Sequence, residues 1–389
     1  MKIFEVFGQD AHNMTLSLMD AANVASRIQK NASIVLKPNL VLDSSPENGA
    51  TTHAGVLSGC VEYLLSHGFE NICIAESSWV GAKTEQSFKA CGYDEVCNKY
   101  NVPFYDLKKD SVETVNTPFR PMSVSRRILN ADYLIDLPVL KGHCQTNMTC
   151  ALKNLKGCLP DQEKRRFHSD GLMKPIAALA SVVKPDLIIV DSLCGDLNFE
   201  EGGNPVETNR MFLGFDAVQI DTYGCQLMGL PLEDVPYIPL AEKWGAGSTK
   251  LSSEDLIHLN KPEAGSVYPE PSGLVRKLTR NVHSDQACSA CYAALVRALY
   301  QMKENGSPVD REIYIGQGWR NKEIPDFGCG NCCRLASHSV KGCPPSSADI
   351  IKALSGRKKS AAQFLLFRSC LKVVTVNIFL QRFHKNRKH

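Results

Sequence analysis

Between residues 33 and 223 short apolar, β-branched runs alternate with helical patterns, and this alternation restricts the chain more than any other feature. It is the signature of strand-helix-strand units, which predicts an α/β fold with a mostly parallel sheet flanked by helices. SIVL at 33–36, NICIA at 71–75, PFYD at 103–106, YLIDL at 133–137 and LIIV at 187–190 read as strands. Segment 52–66 offers Thr52 as a cap and Val56, Cys60, Tyr63 and Leu64 as one apolar face, so a helix is predicted there and another over 83–99. The strands run into polar residues: Lys37 and Asn39, Glu76 and Ser77, Lys141, Asp191. In open sheets of this kind ligands bind outside the carboxyl ends of the strands, so a site assembled from several loops is expected.

The chain has 389 residues, enough for two or three domains at about 150 residues each. With 43% hydrophobic and 22% charged residues it fits neither disorder nor a fibrous repeat. Its net charge of +3 is too small to argue for nucleic acid as the main partner, so any basic site must be local. The start MKIFEVFGQDAHN lacks the basic, apolar and small-residue pattern of a signal peptide, and a reducing cytoplasm is expected. The most apolar stretch, 361–380, carries Arg368 and Lys372, so no spanning helix is expected. The pattern weakens over 231–280, which reads as a connecting region with one helix at 252–259. A helix at 291–303, a strand at 312–315, a cysteine-rich loop and a helix at 347–355 then predict a small second α/β unit. The expected organisation is a body at 1–230, the connection at 231–280, a cysteine-rich unit at 281–356 and a basic amphipathic tail at 357–389.

Six of the sixteen cysteines fall in that second unit: Cys288 and Cys291 as CxxC at a helix start, Cys329, Cys332 and Cys333 in GCGNCC, and Cys343 in KGCPPSS. In a reducing compartment such spacing points to a metal centre, whereas Cys60, Cys73, Cys97, Cys225 and Cys370 read as structural thiols. Cys288, Cys291 and Cys343 are expected ligands with Cys332 as the fourth, because Gly330-Asn331 allows a tight turn into it; Cys329 competes for that place and Cys333 stands behind both. Four thiolates suit zinc. The Cys343-Pro344 pair is like the Cys-Pro ending of bacterial cluster-binding runs, which favours a 4Fe-4S cluster over zinc. A cluster held by three cysteines would leave one iron open to substrate.

A second constellation follows the 133–137 strand: Lys141, His143, Thr146, Thr149, Lys153, Asn154 and Lys156 within 136–160. With Lys37 and Asn39 these form a set of cations and amide donors suited to a carboxylate or phosphate. His143 and His168 are candidates to move a proton near neutral pH. Glu76, Asp191, Asp216 and Asp221 form an acidic set open to base, ligand or helix-cap roles. Gly316-Gln317-Gly318 lacks the third glycine of a nucleotide fingerprint.

KPNLV (37–41), TTHAGV (51–56), LPVLKGH (137–143), TCALKNLKG (149–157), His168, IVDS (189–192) and GFDAVQID (214–221) resemble the family called domain of unknown function 362. The likeness covers about 30–230, and GCPPSSADI at 342–350 resembles the end of the iron–sulfur unit in its longer members. The family is distantly similar in fold to the nickel-dependent lactate racemase group, which implies an α/β architecture without transferring a reaction. The crowded GCGNCC departs from the single ligand cysteine that the resemblance implies at that place.

Residues 357–389 predict a helix that packs on the body or on a second copy of the chain, or that lies peripherally on an anionic membrane. Taken together, the sequence predicts an iron–sulfur oxidoreductase in which Lys37, Lys141 and Lys153 hold a small anionic substrate, Asn39, Thr149 and Asn154 orient it, and His143 or His168 moves a proton. Its partner would be an electron-donor protein. The alternatives are a non-redox lyase or isomerase that uses the cluster as a Lewis acid, or an electron-transfer or cluster-carrier protein.

Overall fold

The structure is a computed structural model and describes residues 1–262, 267–269 and 271–355. The expected tail helix at 357–389 and Cys370 lie outside the described residues.

Eight strands build one sheet: β1 (Ile3–Phe7), β2 (Ile34–Pro38), β3 (Ile72–Glu76), β4 (Phe104–Asp106), β5 (Tyr133–Leu137), β6 (Leu187–Asp196), β7 (Pro205–Gly214) and β8 (Leu256–His258). Their order is β8-β1-β7-β6-β5-β2-β3-β4. All neighbours are parallel except where β7 meets β1 and β6. The mostly parallel α/β sheet inferred from the sequence is therefore what forms. Alternation along each strand splits the core into two layers. Val35, Leu134, Ile188, Val190 and Phe212 pack on one face; Ile34, Leu36, Ile135, Ile189 and Leu213 pack on the other. A sheet covered on both faces needs near-continuous apolar strands, which is how SIVL, YLIDL and LIIV read.

Several local expectations change. The predicted 252–259 helix is a 3-10 turn, Ser253–Asp255, followed by β8. Ser252 and Asp255 close a capping box around the turn, and Leu256 and Ile257 then pair with β1 beside Ile3 and Phe4. The connecting region thus supplies an edge strand to the body. The 83–99 helix is interrupted at Gly92, whose φ of 72° ends one helix (Thr84–Ala90) and starts the next (Tyr93–Tyr100). His53, not Thr52, caps the Ala54–Ser66 helix. The Thr52 hydroxyl instead accepts from Asn39 N–H at 2.8 Å and donates to the Leu137 carbonyl at 2.7 Å, tying the ends of β2 and β5 together.

The C-terminal unit has its own four-stranded, all-parallel sheet in the order β9 (Val282–Ser284), β10 (Ile313–Ile315), β11 (Ile324–Cys329), β12 (Ala336–Val340). The helices Ser289–Glu304 and Ser347–Leu354 cover it, with Leu295, Leu299, Ile313, Phe327 and Ile350 in its core. A separate apolar cluster of Cys144, Phe199, Ala293 and Val296 joins it to the body. Beside that seam Arg297 donates to the Gly202 carbonyl at 2.8 Å.

Candidate functional site

The chain moves outward from β2 to β3 and β4, then returns to the other side of β2 as β5. A reversal of this kind opens a crevice at the carboxyl ends of the two strands on either side of it. Asn39 leaves β2 there, and Lys141 opens the antiparallel hairpin Lys141–His143/Asn147–Thr149 just after β5. The hairpin register sets Thr149 opposite Lys141, and both face the cleft. Two helical turns, Ala151–Asn154 and Leu155–Cys158, add Lys153, Asn154 and Lys156, and the helix Asp161–Ser169 adds Lys164. Ser77, Ser78 and Trp79, following β3, close the wall, and Glu200 lies across it.

Lys37 does not reach this cleft. The β2/β5 register places it beside Asp136, and it is fully buried with its ammonium 2.6 Å from Glu76 and 3.6 Å from Asp136. Burial opposes its charge, but Glu76 and Asp136 outweigh it and raise the lysine to about 12. Its carboxylate partners leave no charge for a ligand. Asn39, Asn154 and Lys141 form a linked set: Lys141 Nζ donates to Asn39 Oδ1 at 2.8 Å, Asn39 Nδ2 to Asn154 Oδ1 at 2.7 Å, and Asn154 Nδ2 to Asp136 Oδ1 at 2.8 Å. Lys141 also donates to the Ala50 carbonyl.

His143 is brought to the hairpin but not into the cleft. Its Nδ1 accepts from the backbone N–H groups of Gln145 and Thr146 at 3.0 and 3.2 Å, which puts the ring hydrogen on Nε2 against Glu200. Burial, then the charges of Lys153 and Lys156, hold it well below the ordinary imidazole range. It orients Glu200, which also meets Lys153 at 3.4 Å.

His168 occupies a more consequential place. Its Nε2 lies 2.9 Å from Lys156 Nζ, and its Nδ1 accepts from the Ser289 N–H at 3.3 Å. With Nδ1 accepting, the hydrogen on Nε2 points at Lys156, whose amine must be neutral to receive it. Burial and the Lys153 charge press Lys156 down to about 7, so that neutral amine is populated near neutral pH.

Burial also lowers Lys141 to about 7, Lys164 to about 8, and Lys153 in the same direction. Among the described residues Lys164 donates only to the Ser77 hydroxyl and to the Ser77 and Ser78 carbonyls, at 2.5–3.0 Å. Among the described residues the buried hydroxyl of Thr149 has no partner. Amines held out of water with mostly neutral neighbours, together with an idle donor, have the chemistry to hold an anion.

On the other side of Trp79 is a second cavity, at the carboxyl ends of the C-terminal parallel strands. Cys288 caps the Ser289–Glu304 helix and Cys291 lies in its first turn. Cys329 ends β11, Cys332 lies in the turn Asn331–Cys333, and Cys343 precedes the last helix. These five line the cavity; Cys333 is buried outside its lining. Asn331 holds the two cysteine loops together, its N–H donating to the Gly342 carbonyl and its Oδ1 accepting from Gly342 N–H, both at 2.9 Å. Gln317 donates toward Cys288 Sγ at 3.6 Å, and the Arg320 guanidinium stands against Cys332. Among the described residues no three His, Cys, Asp or Glu side chains converge on a point where one ion would sit. Thiols arranged around a cavity, with N–H donors turned toward them, have the chemistry of a thiolate-ligated anionic group.

The remaining acidic candidates, Asp191, Asp216 and Asp221, do not line the cleft. Asp216 caps the Ala217–Leu227 helix through Val218 and Gln219 N–H. Asp221 is buried and raised to about 8 by that burial. Asp191 lies inside β6 and binds His53 at 2.8 Å. Lys164, Glu200 and Trp79 were not singled out by sequence reasoning, because nothing in spacing separates a cleft lysine from a solvated one.

Residues 34–226 match the model of a domain of unknown function, DUF362. A thylakoid-associated protein of Synechocystis sp. is 23% identical over 223 residues, which are 56% of this chain and 69% of that protein. Among solved structures, the lactate racemase apoprotein of Thermoanaerobacterium thermosaccharolyticum aligns with a TM-score of 0.42 and 13% identity, over 58% of this chain and 56% of that one. A structural-genomics protein of Thermotoga maritima aligns with a TM-score of 0.35 and 14% identity, over 47% of this chain and 51% of that one. This chain thus spans about half the length of either solved structure, and no reaction follows from so distant a likeness.

Proposed function

Residues 34–226 belong to the DUF362 family, whose description names no reaction, so from the site alone we propose an iron–sulfur oxidoreductase acting on a small anionic substrate by electron transfer coupled to proton transfer. The observation that carries this reading is adjacency. Trp79 walls both the lysine cleft and the cysteine cavity, and Lys156, His168 and Ser289 form a hydrogen-bonded path from one to the other, with Ser289 next to Cys288.

Cys288, Cys291, Cys332 and Cys343 would hold a 4Fe-4S cluster, with Cys329 at the cavity wall as the competing ligand. A single zinc would draw four sulfurs to about 2.3 Å of one point. Cysteines spread around a cavity suit a group with its own bulk better. Such a group supplies single electrons when bound. The chain's own residues do the rest. Lys141, Lys153 and Lys164 bind the anion, Asn39, Asn154 and Thr149 orient it, and the Lys156–His168 pair delivers or accepts a proton at the Lys156 amine. Trp79 excludes water between the two spaces. An electron-donor protein is the partner this reading requires. The described cysteines are all free thiols, which suits a reducing cytoplasm, and no described helix is long and apolar enough to cross a membrane.

Anaerobically prepared protein should be brown, with a broad visible absorption that bleaches on reduction. Cys288→Ala, Cys291→Ala, Cys332→Ala and Cys343→Ala should each lose iron, and Cys333→Ala should keep it. A colourless protein carrying stoichiometric zinc would refute the proposal.

A further inference from the structure

Resting on the anion-site reading above, we infer that the lysine cleft is built for a small molecule carrying two negative charges, a phosphate monoester or a dicarboxylate, and not for a simple monocarboxylate. The inference comes from which charges in the cleft already have partners. Lys141, Lys153 and Lys164 enter from three separate segments, and Lys156 adds a fourth charge when it takes a proton. Among the described residues Lys141 holds only the Asn39 amide oxygen and the Ala50 carbonyl, and Lys164 only the oxygens of Ser77 and Ser78. Both ammonium groups are therefore solvated by neutral acceptors.

The carboxylates do not make up the difference. Glu76 lines the cleft but is held by Lys37 at 2.6 Å and by the Ser77 N–H at 2.6 Å. Asp196 is occupied by the backbone N–H groups of Asn198, Phe199 and Asn204. Glu201, buried beside Glu200, is pushed up to about 7 and so toward its neutral form. Among the described residues the one ion pair to these lysines is that of Glu200 with Lys153, at 3.4 Å. The fully charged cleft therefore has an excess of two cations, or three with Lys156. A monoanion would leave at least one desolvated cation without a partner, which is costly away from water. A dianion meets the excess, and the unpartnered Thr149 hydroxyl offers it one neutral donor. Among the described lining residues the donors are point-like ammonium groups with no arginine, so none of them imposes the planar fork that selects a single carboxylate.

Calorimetric titration of the full-length protein at pH 7 with inorganic phosphate, malonate and acetate tests this. At least one dianion should bind roughly tenfold or more tightly than acetate, in line with one extra charge-assisted contact. Phosphate as the tighter ligand points to a phosphate monoester, malonate to a dicarboxylate. Binding should take up protons, seen as a dependence of the heat on the buffer's ionisation enthalpy, because a bound anion pulls Lys141 and Lys164 up from about 7 and about 8. Lys153→Gln, at the least buried of these lysines, should weaken the dianion roughly tenfold and acetate less. Acetate binding as tightly as both dianions overturns this inference and leaves the anion site standing. No binding of any of the three overturns both.

Discussion

Two lysines that each directly follow an apolar run show how far chemistry at a single residue depends on its neighbours. Lys37 lies within β2 and its charge is spent on Glu76 and Asp136, whereas Lys141 stands beyond β5 and donates, among the described residues, only to neutral oxygens. Removing the cation from a buried pair strands the carboxylates, so Lys37→Met should cost about 3–5 kcal/mol in urea unfolding. That variant tests a structural role, since Lys37 does not line the cleft. Lys164 makes a pH prediction. Its folded value, about 8, is below its ordinary 10.5. Between those values the unfolded chain binds the extra proton, so the contribution of this residue to stability rises with pH across that window and is flat below it. Thermal unfolding of Lys164→Met should show a shallower gain, or a steeper loss, than the parent between pH 8 and 10. An unchanged pH profile would show that Lys164 is not held out of water as described.

At the scale of elements, the turns at 151–158 are where sheet and cleft meet. A Cβ on Gly157 would fall 1.9 Å from Glu76 Oε1. That carboxylate is held by Lys37 and by Ser77 N–H and has nowhere to swing. Gly157→Ala should therefore cost about 1–3 kcal/mol, as overpacking does, and should weaken phosphate binding by displacing the Ser77–Trp79 wall. Equal stability and binding in this variant would contradict the packing described. The element scale also shows what was legible in advance. Strands β2, β3 and β5 were readable because burial on both faces leaves an unbroken apolar run between turn signals. Strands β1 and β7 were not singled out, because IFEVF carries the buried Glu5 and PVETNRMFLG carries Thr208 and Arg210, polar residues that look wrong for a sheet interior. Arg210 answers Glu5 at 2.6 Å, a cross-strand partner that no local window contains. The 252–259 segment misled for a related reason: its capping box is a helix-start signal, yet the chain turns once and joins β1.

For the whole molecule, the two constellations read separately from the sequence become neighbours only through folding. Nothing between residues 168 and 289 signals that His168 will accept a hydrogen bond from Ser289, or that Gln145 will bond both the Ser289 hydroxyl and the Ala287 carbonyl. The cysteine grouping was readable because these residues cluster locally at loop ends. The pairing of Lys156 with His168 was half readable, since both residues stood out but the 2.9 Å between them did not. Both halves place a cavity at the carboxyl edge of parallel strands, so the seam that packs Phe199 against Tyr300 also sets one cavity against the other.

The position of β1 between β7 and β8 has a consequence for biosynthesis. The strand nearest the amino terminus pairs with residues 210–213 on one side and 256–258 on the other. As the chain leaves the ribosome, Ile3, Val6 and Phe7 must wait for about two thirds of the 389 residues before they have both neighbours. Long-range pairing of this kind slows folding and leaves an unpaired strand open to wrong partners in the interval. The amino-terminal segment is therefore where a nascent-chain chaperone would be expected to act, and where truncated products of this gene would aggregate first.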